Sequence, residues 1–166
     1  MKLDSAFIQP FLDGTITTLK VQCQMEATMT KPYIKGTGSE KPGQVDIAGM
    51  LGITSDQFKG SMSLCFPEKT FLAIMGNMLG ETYTTITPDV EDGAGELINI
   101  IFGYAKRVLN EKGCTIQKAL PTIVRGSAIT VHHLPKGPIM VLPFTTNNGP
   151  FHIEIATTPA HSAAAA

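Results

Sequence analysis

Residues 87–113 read TPDVEDGAGELINIIFGYAKRVLNEKG, and this stretch decides the architecture of the 166-residue chain. Thr87 is a residue type that caps helix starts, and Pro88 occupies the first helical position, where its missing N–H costs nothing. Asp89, Glu91 and Asp92 crowd the first turns, as the positive end of a helix dipole favours. Lys106, Arg107 and Lys112 load the other end, and Gly113 stops it. The spacing predicts a helix over 88–111. At about 100° per residue, Val90, Leu97, Ile101, Tyr104 and Val108 gather on one side, flanked by Ala94 and Ala105, which marks the core face. Asp92, Glu96, Asn99 and Gly103 fall opposite, within roughly 60° of one another. Gly93 and Gly95 each cost roughly 1 kcal/mol relative to Ala inside a helix. Close approach of another protein surface gives a reason for that cost, so the start of this helix is expected to be a smooth docking face.

Working outward, residues 3–20 read as a helix with Leu3, Phe7, Phe11 and Ile16 on one face, Asp4 or Ser5 as cap, and Pro10 as a kink. Residues 22–35 suit a strand and 36–43 a loop. Strands over 45–54 and 58–66 form a hairpin through Ser55-Asp56-Gln57. Pro67-Glu68-Lys69 opens a second helix that runs to Leu79 and stops at Gly80. Four strand candidates follow the long helix, at 115–124, 128–134, 139–144 and 151–157. The stretch 159–166, with its terminal alanines, is expected to be a disordered low-complexity tail, leaving one domain over 1–158. Pro32-Tyr33-Ile34-Lys35-Gly36 parallels Pro121-Thr122-Ile123-Val124-Arg125-Gly126, each a little way after a helix. That match predicts an internally duplicated helix-plus-sheet unit. Hairpin-length connections cannot join parallel strands, so the class is α+β, with helices layered on an antiparallel sheet.

Composition bounds the function. A net charge of −1 with no run of Lys or Arg excludes a partner held by phosphate neutralisation, so no nucleic acid is expected. No stretch approaches the ~20 apolar residues of a membrane span. The start, Met1-Lys2-Leu3-Asp4-Ser5, is not a signal peptide. Cys23, Cys65 and Cys114 are an odd, widely spaced set, which reads as buried thiols in a reducing compartment, so the cytoplasm is expected. No phosphate-loop, zinc or nucleophile-elbow motif occurs. His132 and His133, adjacent on an expected strand, would point to opposite faces and cannot easily share a metal ion. Gly36-Thr37-Gly38 lacks the Lys-Ser/Thr pair of a phosphate cradle, and Cys114 has no base nearby in sequence.

The spacing Asp92-x3-Glu96-x2-Asn99, with Pro121 after twenty-one intervening residues, resembles the signature of the CheC/CheX/FliY family of chemotaxis phosphatases. Ala6-Phe7, Gly52-Ile53-Thr54, Lys59-Gly60-Ser61 and Met75-Gly76-Asn77-Met78-Leu79-Gly80 also look CheX-like, so the resemblance covers roughly residues 3–157. The 3–20 helix lacks the acid-x3-Glu-x2-Asn spacing. A single motif is similar to the CheX pattern and not to the two-motif CheC pattern.

The resemblance implies a layered CheC/CheX-like domain that hydrolyses the aspartyl phosphate of a CheY-like response regulator, in chemotaxis or related two-component signalling. It assigns Asn99 to positioning the attacking water and Glu96 to reaching the regulator's active-site Lys. Asp92, Gly95 and Gly103 are expected on the partner-binding face, where a Leu at Gly95 would block docking without harm to the fold. Pro121 is taken as a structural marker. No cofactor or metal of the protein's own is expected, since the Mg²⁺ belongs to the phosphorylated partner. The family's CheX members are homodimers joined through their sheets, and 151–155 alternates as an edge strand could. The alternative functions are a non-catalytic module of the same fold that docks a signalling or flagellar partner, and a small-molecule sensor with no residue to support it.

Overall fold

A carboxylate starts the first helix. Asp4 accepts a hydrogen bond from the N–H of Phe7 at 3.0 Å and caps α1, Ser5–Cys23. The computed structural model describes residues 3–134 and 136–160. Pro10 lies inside α1 without ending it. The carbonyl it leaves unbonded belongs to Ala6, which is exposed and open to water. Gln24 closes the helix in the left-handed region, with its N–H on the carbonyl of Leu19. The helix therefore takes the first residues of the strand expected over 22–35. Only β1, Thr28–Met29, and β2, Tyr33–Ile34, remain of it.

The hairpin of β3, Ile47–Thr54, and β4, Phe58–Phe66, forms as the sequence suggests, and is followed by α2, Glu68–Leu79. α3 runs Pro88–Glu111, with Pro88 at its first position and Thr87 extended at the N-cap but making no side-chain cap bond. Its last turn holds no basic residue, but Lys112 is the C-cap itself and Lys106 and Arg107 immediately precede that turn, so the basic residues expected at this end flank it. The chain then forms β5, Thr122–Arg125, β6, Ile139–Thr146, and β7, Gly149–Pro159. The strand expected over 115–124 is mostly not one. Thr115 has φ +49°, and the side chain of Asn110 holds Ile116 by both its N–H and its carbonyl, at 2.6 and 3.0 Å. Residues 128–134 form no strand either. β7 extends one residue into the expected tail, and Ala160 donates to the carbonyl of Gln57. Residues 161–166 of that tail lie outside the described residues.

All strand pairs are antiparallel and form one sheet in the order β1-β6-β7-β4-β3-β5, with β2 also on β6. Exchanging the half that holds β2, β3 and β4 with the half that holds β5, β6 and β7 returns the same order. This symmetry is compatible with a duplicated unit. It places β7 at the centre of the sheet, paired to β4 and β6, so 151–155 is not an edge.

The helices cover one face of the sheet over a continuous apolar core that includes Phe7, Phe11, Phe58, Leu64, Phe71, Leu97, Ile101 and Ile153. Glycines set how closely these layers approach. A Cβ on Gly49 of β3 would stand 2.9 Å from the carbonyl oxygen of Ala94, and one on Gly14 of α1 3.2 Å from that of Ile101. α3 is thus pressed between the sheet and α1, and its buried surface is wider than the wheel suggests. Ile98, Phe102 and Leu109 are buried with Val90 and Leu97, while Tyr104 and Val108 are half-buried.

The opposite face is covered by the segment after β5. Ile129 donates to the carbonyl of Val45, and Val131 packs with Val45, Ala48 and Cys65. Beneath it lies Glu154 of β7, its side chain 1% exposed. Lys35 donates to both its oxygens, at 2.8 and 2.9 Å, and also to the carbonyl of Val131. His133 Nε2 stands 3.0 Å from Glu154 Oε2, and its Nδ1 2.6 Å from Ser61 Oγ. That geometry is satisfied when Nε2 carries a proton toward Glu154 and Nδ1 accepts from the serine. Burial alone would raise the Glu154 carboxyl. His133, His152 and Lys35 outweigh it and hold the group far below the usual carboxylate range.

Two predictions follow from these contacts. A carboxyl depressed in the folded state contributes stability that is full above its unfolded value of about 4.3 and is lost as pH falls. The denaturant midpoint of the wild type should therefore drop on acidification through that value. Glu154→Gln should start about 2–4 kcal/mol lower at neutral pH and show a shallower acid dependence; parallel curves would remove Glu154 as the source. For the helix glycines, a Cβ on Gly95 would meet Ile123 at 3.3 Å and Pro121 at 3.6 Å, whereas one on Gly103 meets nothing within 4 Å. Gly95→Leu should lower stability by about 1–3 kcal/mol through overpacking. Gly103→Leu should hold or raise it, and equal melting temperatures would contradict the packing.

Candidate functional site

Four of the five residues singled out on α3, Asp92, Glu96, Asn99 and Gly103, stand together where the wheel puts them, and one does not. Asp92, Glu96, Asn99 and Gly103 are all exposed and succeed one another at helical spacing, forming one ridge. Gly95 is buried. It lies under Pro121 and Ile123, so the expectation of a docking glycine there is corrected: its missing side chain admits the chain's own segment after the helix. Gly93 has the same kind of cause, since a Cβ there would collide with Met75 of α2. The helix cost of both is explained inside the fold.

The packing at Gly95 also explains the distant proline. After the turn at 112–115 the chain comes back along α3. It is held at the far end by Asn110 and at the near end by Pro121 and Ile123 against Gly95. Gln117 further ties it to β3, donating to the carbonyl of Thr54. This return strip lies beside the ridge. Between them runs a groove of about 310 Å³, walled by Asn99, Gly103 and Lys106 on the helix and Lys118, Ala119 and Leu120 on the strip. Reading the sequence for motifs passed over Lys118, Leu120 and Asn110. The signal that could have found them is geometric: a chain that must return from Glu111 to Pro121 has to run past Asn99.

Near the start of α3, Glu91 pairs with Arg125 of β5 at 3.3 Å, and Arg125 reaches the carbonyl of Ile86, so the entry to the helix is fastened to the sheet edge. Asp92, Glu96 and Asn99 make no hydrogen bond or ion pair among the described residues. The ridge is therefore a set of polar groups on a fixed backbone with their bonding capacity unspent. An unionised amide offers both an acceptor and two donors, and a carboxylate beside it offers charge.

Other candidates do not assemble a site. His133 and His152 both approach Glu154, but no group of three or more His, Cys, Asp or Glu among the described residues could hold a metal ion. The line Ser61–His133–Glu154 has the residue types of a hydrolase triad. However, Ser61 sits in a central strand whose backbone is paired to both β3 and β7, which leaves no N–H to stabilise an oxyanion. A larger cleft, about 760 Å³ beside α2 and residues 80–84, is lined by none of the ridge residues. Cys23, Cys65 and Cys114 are free and buried, and burial pushes the Cys65 thiol up to about 12, which suits inert packing and not nucleophilic work. No helix among the described residues is long and apolar enough to cross a membrane.

The comparisons with known proteins agree with this architecture. The family model for the chemotaxis phosphatase CheX matches residues 47–145. Among solved structures, the chemotaxis protein CheX from Vibrio vulnificus is similar at 36% identity and a TM-score of 0.85, covering 93% of this chain and 100% of that one. A CheC-like superfamily protein from Shewanella sp. PV-4 is similar at 36% identity and a TM-score of 0.86, over 94% of this chain and 99% of that one. The CheX–CheY–BeF3–Mg²⁺ complex from Borrelia burgdorferi shares the fold at 22% identity and a TM-score of 0.76, over 94% and 99%. No curated protein matches. With the family match spanning more than half of its residues and a solved CheX similar at 36% identity over 93% of it, this chain belongs to the CheX family of chemotaxis phosphatases.

Proposed function

We propose that Asn99 is the catalytic residue of this phosphatase, acting on the aspartyl phosphate of a CheY-like response regulator, with Glu96 fixing the register of the two proteins. The observation that carries the reading is the exposed amide of Asn99, without a partner among the described residues, on a helix clamped from both sides. The phosphoryl group sits on a carboxylate of the partner, and water attacks phosphorus as the carboxylate leaves. The acyl phosphate is already reactive, so orientation supplies most of what is needed. An amide oxygen accepts from the attacking water while the amide N–H donates to a phosphoryl oxygen. A carboxylate in that place would repel the anion. Glu96, one turn earlier, suits a charge-assisted contact to a lysine of the regulator. Asp92 and Gly103 extend the partner face on either side. Gly95 acts only through the strip it receives.

The active site is completed by two molecules. The phosphorylated Asp and the Mg²⁺ belong to the regulator, as the composition of the Borrelia complex suggests for its own partner. The three buried free thiols favour a cytoplasmic location. A homodimer joined through the sheets has support at one edge. β5 pairs only with Ile47–Met50, so the outer side of β3 is open over Leu51–Thr54 apart from the Gln117 contact, and Leu134 nearby is 96% exposed.

Asn99→Ala should reduce turnover of a phosphorylated CheY-type regulator by roughly two orders of magnitude with the melting temperature unchanged, since Ala is the better helix former. Glu96→Gln should act mainly on KM and flatten its salt dependence. Wild-type turnover in the Asn99 variant would remove that residue from the mechanism. For the dimer, light scattering should report twice the chain mass for the wild type and a shift toward monomer for Leu134→Asp; a monomeric wild type would exclude it.

A further inference from the structure

The ridge does not stop at Gly103. Asp92, Glu96, Asn99, Gly103 and Lys106 succeed one another at spacings of four, three, four and three residues, so Lys106 is its next member. Lys118 on the return strip faces the same groove. The ridge is therefore polarised, with carboxylates at one end, the amide in the middle and two ammonium groups at the other. A helix dipole does not account for this pattern, because its effect falls off within the first and last turns. Glu96 lies in the third turn, the last turn holds no basic residue, and Lys118 is not on the helix. Internal pairing does not account for it either, since neither lysine makes an ion pair or hydrogen bond among the described residues. Beside them Leu120 is 81% exposed, held there by a strip that Asn110, Gln117 and Pro121 fasten in place. Two like charges and an exposed leucine line one preformed groove, a combination that an acidic partner carrying an apolar side chain would complement.

We infer that the groove between Lys106 and Lys118 is a second docking point for the phosphorylated regulator, taking a surface segment that pairs carboxylates with the two lysines and rests an apolar side chain on Leu120. This rests on the regulator-phosphatase reading given above. A single contact at Glu96 leaves the partner free to rotate about that point. A second contact of opposite sign on the far side of Asn99 fixes the rotation and sets the amide against the phosphoryl group. Lys106, Lys118 and Leu120 are positioning and specificity-determining residues, and none touches the reacting atoms.

The test is steady-state hydrolysis of a phosphorylated CheY-type receiver by the full chain and by Lys106→Glu/Lys118→Glu. The double reversal should raise KM by about tenfold while kcat at saturation stays within about twofold of wild type, the opposite split to Asn99→Ala. Added salt should narrow the gap in KM. Lys106→Arg/Lys118→Arg should restore the wild-type KM. Lys31→Glu/Lys41→Glu makes the same change in net charge outside the ridge and should leave KM unchanged. A KM for the ridge reversal equal to that of this control overturns the second docking point, and the reading of Asn99 then stands or falls on its own variant. A wild type that binds the beryllofluoride-activated receiver without hydrolysing the phosphorylated one overturns the reading of the activity; the same reversal then tests the groove through affinity. A wild type that does neither overturns both.

Discussion

The backbone of α3 is in near contact with its neighbours on two sides, and the rest of the molecule is arranged around that constraint. At Gly49 the sheet comes so near that a methyl group would press on the carbonyl of Ala94, and at Gly14 helix α1 does the same against Ile101. Side chains can shift to absorb an added atom, but backbone carbonyls tied into a helix cannot shift without breaking its ladder. These two approaches fix where α3 lies and how it is rotated. They also consume most of its circumference, so the polar residues have one strip left to occupy. The ridge of Asp92, Glu96, Asn99 and Gly103 is the part of the helix that neither neighbour covers.

The same geometry gives the distant proline a meaning. From Gly95 to Asn110 the helix rises about 1.5 Å per residue, and the extended strip from Ile116 to Ile123 returns at about 3.3 Å per residue, so each spans a little over 20 Å. The number of residues between Asn99 and Pro121 is the length of chain needed to finish the helix, turn, and come back alongside it. Pro121 and Ile123 then settle over Gly95, where a Cβ would stand 3.6 and 3.3 Å from them. A glycine before Glu96 and Asn99 and a proline far after them are two ends of one packing contact. The contact gives the ridge a rigid flank and creates the groove that Asn99 overlooks.

Much of this was legible in the sequence, and the parts that were not have physical causes. The limits of α3, the β3–β4 hairpin and α2 follow from caps, turn residues and periodicity, all of which act locally. The exposed ridge follows from one rotation of a wheel. What the sequence hides is decided between distant segments. Residues 115–121 have strand composition, yet Asn110 and the bulk of α3 draw them to the helix flank. Residues 128–134 look like a strand too, but their bonds go to Val45, Lys35 and the Glu154 cluster on the back of the sheet. The pattern at 151–155 is that of any strand with differing faces. Its central position depends on β4 and β6, which its own residues cannot announce. His133, weighed from the sequence only as half of a metal pair on a strand, is a buried member of that cluster.

The glycines of α3 show how structure separates packing from function where composition cannot. All three carry the same helix cost, roughly 1 kcal/mol relative to Ala. A Cβ on Gly93 would collide with the sulfur of Met75 and one on Gly95 would press on Ile123 and Pro121, so both glycines have neighbours inside the fold that account for them. Gly103 has no such neighbour: a Cβ there would stand in open space, next to Asn99 along the ridge. No described residue lies close enough to repay the loss. Bare backbone at that point lets a convex helix approach another surface closely enough for the short side chain of Asn99 to reach into it. In the proposed role, the amide has only the length of its own side chain to place a water beside a partner's phosphoryl group. Among these glycines, Gly103 is the one without a packing neighbour among the described residues, as the proposed partner face along the ridge would require.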